Sequence, residues 1–570
     1  MLLAPPAVSG VSEPPGAVTF QLDRHYTNAT ELEALAEAIL AHRFPLMGAV
    51  IETGPEIDWR RDYIHGISTG TPYFRCLPYL DFSRVGDHKL IWELNRHQHL
   101  LVLAQAFRLT GRREFLDETL RQLDGWMTQN PFLRGINWAS ALEVAFRALS
   151  WCWLYELAGF AMPEAPRRRF LTELYRHGRY LELNLSVYFS PNTHLLGEAV
   201  ALHALGMRFP WWAEAARWAR TGGSIVREQL ERQVRADGSH FEQSAYYHVY
   251  ALDLFLLHYQ LAGRPKEYQA PLVRMGEYLG ALVGPSGLLP LIGDDDGGRL
   301  FHPYGDRLQF GRGTLAACAI ETACAPSPAS GLFADAGVAI MITGKVQVVV
   351  KAGPFGEGSG GHSHSDVLSL VARLGNREVL IDPGTYTYVS DPAERHRFRG
   401  AAAHNTIRID GRDQAVPAGP FRWREKPATV IRQWTSSDGR DFLDAACRYA
   451  DFTHRRRVVF LKPEAVVAVL DTVEGPPGVH LLEQFWHLAS AEDAARFSFS
   501  EPERMTEGWR SRAFASKEPS PVLCVKRHGT LPGAMAAVLD LSGSPRTGPL
   551  TILGAGDAAG VIWCGARIEF

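Results

Sequence analysis

Three stretches of the chain concentrate side chains that can move protons. In SPNTHLLGEAVALHALG, Asn192 and His194 open a helical pattern whose apolar face carries Leu195, Ala199 and Leu202. An amide is a neutral hydrogen-bond donor, and an imidazole with an ordinary pKa of about 6.5 can accept a proton at neutral pH. The alternative is an Asn helix cap beside a surface histidine. In DGSHFEQSAYYHVYALDLFLL, Tyr246, Tyr247, His248 and Tyr250 begin a very apolar helix. A phenol with a pKa of about 10 can donate to a more basic, alkoxide-like oxygen, whereas the alternative is an aromatic stripe in a core. GEGSGGHSHSDVLSL sets His362 and His364 two residues apart after a glycine-rich loop. On a strand, that spacing puts both imidazoles on one face with Asp366 in line.

Further on come Asp382, in LIDPGTYTY, and His404, in AAAHNTIRID. His364, Asp382 and His404 together offer two nitrogens and a carboxylate oxygen, a set suited to zinc with water in the fourth position. Their separations match no local metal motif, so hydrogen bonding in turns stays open as the alternative. Asn95, Arg96, His99, Trp138, Glu143 and Arg147 lie in WELNRHQHL and NWASALEVAFR. They suit sugar contact through aromatic faces and guanidinium forks, and equally inter-helix ion pairing. GDDDGGR (293–299) is acidic enough to suggest a calcium loop but lacks the EF-hand spacing and terminal Glu. It reads as a turn whose carboxylates cap neighbouring helices.

Two kinds of element must position these groups. From about residue 90 to 325 the apolar period is helical, as where Leu116, Leu120, Leu123 and Met127 share a face. Gly111, Gly159, Gly206 and Gly263 punctuate the helical runs at similar intervals, which predicts stacked helical hairpins closing into a solenoid or toroid. After the linker-like PSPAS at 326–330, the period becomes two, in VAIMITGKVQVVVKAG, DVLSLVARLGNREVLIDPG and RRVVFLKPEAVVAVLD. Turn pairs Thr343-Gly344, Gly375-Asn376 and Asp410-Gly411 punctuate an expected antiparallel β-sandwich. The expected division is therefore an N-terminal extension with the first helices at 1–55, a helical catalytic domain at 56–325 and a sandwich at 326–570.

The 570 residues allow several domains, and 59 Lys plus Arg against 62 Asp plus Glu leave a net charge of -3. No whole-molecule field is present to hold a nucleic acid, so a polyanionic partner has to be met locally in a cleft. The seven cysteines are scattered and read as free core thiols. No stretch reaches the roughly 18 apolar residues of a membrane span. MLLAPPAVSGVSEPPG lacks the charged and apolar regions of a signal peptide, so the expected compartment is cytoplasmic, or periplasmic or secreted if a signal was removed.

Taken in order, NTH, FEQSAYYH, GGHSHSD, IDPGTY and AHNTIRIDGRDQ resemble the heparinase II/III-like superfamily of polysaccharide lyases. DHKLIWELNRHQHL (87–100), NWASALEVAFRALSW (137–151), IGDDDGGR (292–299) and EQFWH (483–487) extend the resemblance over about residues 80 to 490. It implies an α+β multidomain chain: an incomplete (α/α) toroid followed by an antiparallel β-sandwich. It also implies β-elimination beside a uronic acid, on a glycosaminoglycan or alginate-like chain. Asn192 and His362 would neutralise the uronate carboxylate, and Tyr247 would be the general acid. The base would be His194, or Tyr247 itself if neighbouring histidines lowered its pKa. Tyr246 is the adjacent alternative phenol. His364, Asp382 and His404 would hold a structural divalent ion, zinc or manganese. The rival functions are a glycoside hydrolase using carboxylates such as Glu143, Asp294 and Glu198, and a non-catalytic exopolysaccharide-binding or assembly protein.

Overall fold

The computed structural model describes residues 29–300, 303–554 and 556–570. The Pro- and Gly-rich start of the chain lies outside them. The chain divides into two compact units. The first comprises the described residues up to Gln233, Tyr250–Gln269 and Gly297–Gly305; the second comprises Val234–Val249, Ala270–Asp296 and Asp306–Phe570.

The first unit is helical and has two layers. Helices Gln98–Thr110, Ala141–Ala158 and Thr193–Arg208 pack in succession on one another. Each also packs on an outer helix: Arg113–Gln129, Glu164–Asn184 and Ala215–Gln233 respectively. The composition explains the sorting. Ala141–Ala158 is buried from Ala141 to Leu154 without a break, as an inner-layer helix must be, whereas Arg113–Gln129 buries one stripe and leaves charged residues outside. That stripe runs through Phe115, Leu116, Thr119, Gln122, Leu123 and Trp126, with Leu120 and Met127 at its half-buried margin. No helix among the described residues is long and apolar enough to cross a membrane.

The punctuating glycines play different parts. Gly111 ends its helix in the left-handed region at φ 72°, and Gly263 follows the end of Ala245–Leu261 at φ 77°. Gly159 caps its helix in a right-handed conformation. Gly206 does not terminate a helix: it lies inside Thr193–Arg208, and a Cβ there would stand 2.4 Å from the carbonyl oxygen of Ala215. Gly222 faces the Ala199 carbonyl oxygen just as closely, so the two glycines let these helices touch backbone to backbone.

The second unit is dominated by antiparallel sheets. Strands Gly331–Phe333, Val338–Thr343, Val346–Lys351, Ser369–Leu374 and Arg377–Leu380 form a five-stranded meander. A six-stranded sheet is built on Arg440–Tyr449, Phe452–Leu461, Val466–Glu474 and Gly533–Asp540, and a four-stranded sheet on Val479–His487 and Ser516–Thr530. The predicted turns appear at Gly344 (φ 53°), Gly375 (φ 60°) and Asp410-Gly411 (φ 51° and 70°). Strand Val466–Glu474 shows why the period is two. Val467 and Val469 enter the core shared by the three sheets, while Val466, Ala468 and Leu470 enter a second core beneath a three-stranded C-terminal sheet. Of the seven cysteines, all free, Cys152, Cys318, Cys447 and Cys524 are core residues. Cys76 and Cys564 are exposed and Cys324 is half-buried, Cys76 ending a single 3-10 turn and the other two sitting in connections between elements.

One ionic cluster is buried among these sheets. Asp471 receives Arg456 through two bonds of 2.7 and 2.8 Å, His454 at 2.7 Å and Gln484 at 2.6 Å. Arg456 also donates to the backbone oxygens of Leu368 and Asn405. Burial alone would raise the Asp471 pKa, but Arg456 and His454 hold it well below the carboxylate range. Arg456→Met leaves this carboxylate without its cation and is expected to cost about 3–5 kcal/mol, read as a lowered denaturation midpoint.

Candidate active site

Tyr247 sits in the first turn of helix Ala245–Leu261, in the part belonging to the second unit. Ser244 fixes that turn: its hydroxyl accepts from the Tyr247 amide at 3.2 Å and donates to the Asp294 carbonyl at 2.6 Å. The Ala245 amide donates to the Ile292 carbonyl. Gly293 makes this approach possible, because it has φ +72° and a Cβ there would lie 2.8 Å from the His362 carbonyl oxygen. The His362 carbonyl accepts instead from the Asp294 amide at 2.9 Å. The helix start, the acidic run and the histidine loop are thereby laced together through backbone. The Tyr247 ring stacks on the His362 imidazole with centroids 3.7 Å apart, and its hydroxyl donates to Asp296 at 3.2 Å.

His362 and His364 are on a loop rather than a strand, since Ser369 begins the nearest one. Expected to share a strand face, they converge because both bind one fully buried carboxylate. Asp294 receives His362 Nδ1 at 3.1 Å, His364 Nε2 at 2.9 Å and the Thr385 hydroxyl at 3.2 Å. Arg395 clamps the same carboxylate with two bonds of 2.5 and 2.8 Å, and its guanidinium lies 4.8 Å over the ring of Tyr388. Burial would raise the Asp294 pKa, but Arg395 and the two histidines hold it well below the ordinary range. The GDDDGGR run therefore organises this site instead of capping helices. Asp294 binds the histidines, Asp295 pairs with Arg307, and Asp296 takes the Tyr247 hydroxyl.

These neighbours decide the charge states of the stacked pair. Burial pushes the Tyr247 phenol well above its ordinary value, and the charges of Asp296 and Asp294 and the adjacent Tyr388 push it further. The neighbouring histidines do not lower it. Burial alone would lower the His362 pKa, but the bond to Asp294 and the charge of Glu242, 3.4 Å from Nε2, leave it raised. Tyr246 turns away from the pair, with the Arg307 guanidinium 5.2 Å above its ring.

His364, Asp382 and His404 are all buried, and each offers a ligand atom within 4.8 Å of the others. His404 Nδ1 bonds Asp382 at 2.8 Å. His404 Nε2 and His364 Nδ1 are buried without a hydrogen-bond partner. Two such imidazole lone pairs beside a carboxylate make a donor set that suits a divalent cation.

Asn192 and His194 belong to the first unit. Asn192 caps helix Thr193–Arg208, its side-chain oxygen accepting from the His194 amide at 3.1 Å. Asn95, Arg96, His99, Trp138, Glu143 and Arg147 are all buried. Arg96 meets Glu143 with bonds of 2.7 and 2.8 Å, and Asn95 donates to the Trp59 and Ile91 carbonyls. His99 bonds Gln122, while Arg147 bonds His177 and lies 4.4 Å over Trp126 and 5.5 Å over Trp138. The structure thus places these six side chains in buried packing and hydrogen bonding within the helical unit. Asp296, Arg395, Tyr388 and Glu242 were missed as site residues. Only the adjacency of Glu242 to YYH and the density of the DDD run hinted at two of them.

Residues 16–299 match the heparinase II/III N-terminus family, and residues 325–545 match the heparinase II/III-like C-terminal family. A heparin-sulfate lyase of Pedobacter heparinus is 25% identical over 438 residues, which is 70% of this chain and 62% of that protein. One from Bacteroides stercoris is 23% identical over 553 residues, covering 85% of this chain and 76% of that protein. The crystal structure of a heparinase III superimposes with a TM-score of 0.74 at 16% identity, covering 96% of this chain and 93% of that one.

The helix bearing Asn192 also carries an unusual acid. Glu198 is fully buried and accepts from the amide and hydroxyl of Ser186, yet burial outweighs those bonds and raises its pKa to about 8. A carboxyl raised in the folded state gives stability that is complete below its ordinary pKa of 4.5 and lost as pH rises through about 8. Thermal denaturation between those limits is expected to show a slope of up to about 1.4 kcal/mol per pH unit from this group, flattened in Glu198→Gln.

Proposed function

Because the chain belongs to the heparinase II/III-like superfamily, we propose that it is a polysaccharide lyase cleaving a uronate-containing glycosaminoglycan by β-elimination. The observation that carries the reading is the buried Tyr247–His362 stack, in which a phenol kept protonated lies against an imidazole fixed by Asp294. Elimination needs a base to take the C5 proton, donors to stabilise the charge then gathering on the uronate carboxylate, and a proton for the departing O4 oxygen. The C5–H and C4–O bonds break, a C4=C5 double bond forms, and the Tyr247 proton passes to the leaving oxygen. A phenol held well above its ordinary pKa retains that proton until an alkoxide-like oxygen develops.

Its raised pKa argues against a resting phenolate, so His194 is assigned as base. Asn192 and His362 are assigned to the carboxylate, as the resemblance implies. Tyr247 is preferred to Tyr246 because it is the phenol that touches His362. A heparan-type chain is the first substrate to test, since the relatives from Pedobacter heparinus and Bacteroides stercoris are named heparin-sulfate lyases. The alternation of inner and outer helices supports reading the first unit as an incomplete (α/α) toroid. Hydrolysis would need two carboxylates flanking one bond, and the pairing of Asp294 with Arg395 and of Glu143 with Arg96 does not favour it.

His364, Asp382 and His404 are assigned to a divalent ion, zinc ahead of manganese. Such an ion would act as a cross-link between the histidine loop and two neighbouring segments. Isolated protein is expected to bind zinc and His404→Ala to lose it, read by elemental analysis of dialysed protein.

The reaction is tested by following ultraviolet absorbance of the unsaturated product on heparan sulfate. Tyr247→Phe is expected to lower kcat by about 10²–10⁴-fold with little change in binding. Reducing ends released without absorbance would overturn elimination in favour of hydrolysis, and binding without either product would assign a non-catalytic role.

A further inference from the structure

We propose that Asp294 is a positioning residue that orients His362 and the candidate metal ligand His364 through one carboxylate, so that cation binding and the setting of His362 are coupled. The inference rests on the proposed metal set and lyase reading, but its test uses no turnover.

A carboxylate has about four acceptor positions, and Asp294 meets five donors, two on Oδ2 and three on Oδ1. His364 Nε2, His362 Nδ1 and both Arg395 nitrogens face an acceptor-only group, so each of these atoms carries a hydrogen toward it. That fixes both tautomers. His364 is left with Nδ1 as its lone pair, the buried atom that has no partner and falls in the metal set. His362 is left with Nε2 as its other end, 3.4 Å from Glu242.

Arg395 makes the joint stiff. Beyond its two bonds to Asp294, it donates to the carbonyls of Pro420 and Gly361, so the carboxylate plane cannot turn without breaking a buried ion pair. Asp294 is also tied by its backbone, donating to the His362 carbonyl and receiving the Ser244 hydroxyl that caps Tyr247. A cation drawing on His364 Nδ1 therefore pulls on a ring whose far nitrogen shares its carboxylate with His362. Partners of this kind behind a metal-bound imidazole are typically worth about 10–100-fold in metal affinity.

The test measures zinc affinity by competition with a chromophoric chelator, and records imidazole spectra of ¹⁵N-histidine-labelled full-length protein without and with zinc. The His362 signals are assigned by their loss in His362→Gln. In the unsubstituted protein, zinc is expected to shift the His362 ring resonances although His362 is not in the metal set. Asp294→Asn presents an NH2 where a donor already points. It is expected to weaken zinc by about 10–100-fold and to abolish the His362 shift at saturating zinc. Wild-type affinity in Asp294→Asn, failure of the unsubstituted protein to bind zinc, or His362 resonances indifferent to zinc would each overturn the coupling. The last measurement needs no Asp294 variant, so it decides even if Asp294→Asn does not fold. An inactive protein that still shows the zinc-dependent shift would leave the coupling standing while the lyase reading failed.

Discussion

The second unit's candidate site depends on keeping the Asp294 carboxylate ionised where no water reaches it. An isolated buried carboxylate would take up a proton, so its charge has to be met by cations and donors on every side. Arg395 supplies the cation in a two-point clamp, and His362, His364 and Thr385 supply the remaining donors. With Asp294 itself, these groups come from four segments of the sequence, which must all arrive correctly for the charge to be tolerated. The penalty for an unpaired charge thus becomes a demand for a single arrangement of the loop.

The same logic appears twice more in the second unit. Asp471 sits among strands with Arg456, His454 and Gln484, and the spare nitrogen of Arg456 holds the backbone of Asn405, next to His404. Asn405 in turn bonds the Leu370 and Ile381 carbonyls and accepts from the His487 amide. Lys351 pairs with Asp366, likewise buried. Buried polar groups of this kind add little net stability over a well-packed apolar core, but breaking one is costly. Here they set where the candidate metal ligands lie.

Electrostatics also divides labour within the acidic run. Asp294 is clamped by Arg395 and holds two imidazoles, while Asp296 takes the Tyr247 hydroxyl, and both charges raise the phenol's pKa along with burial. Two carboxylates separated by one residue therefore bind different partners. One orients imidazoles that must present particular nitrogens, and the other keeps a proton on Tyr247. The stacking of Tyr247 on His362 brings the two results together at one place.

The sequence by itself determined the period of each half and the turn pairs of the β-sheets. These are written in local patterns: burial on a helix repeats at 3.6 residues and on a strand at 2, and a left-handed turn calls for Gly or Asn. The ordered motifs, taken together, also indicated the family. Tertiary structure alone decided what Gly206 is for, because its near neighbour is the backbone of Ala215 on another helix. It also decided that Arg96 pairs with Glu143 and Arg147 with His177, and that the three aspartates of GDDDGGR serve three different partners. An ionic side chain reads the same in sequence whether it faces a sugar or an arginine. Asp294 and Arg395 lie 101 residues apart, and no periodicity extends that far. Their pairing follows from the cost of burying either charge alone, which is set by surroundings that only the folded chain supplies.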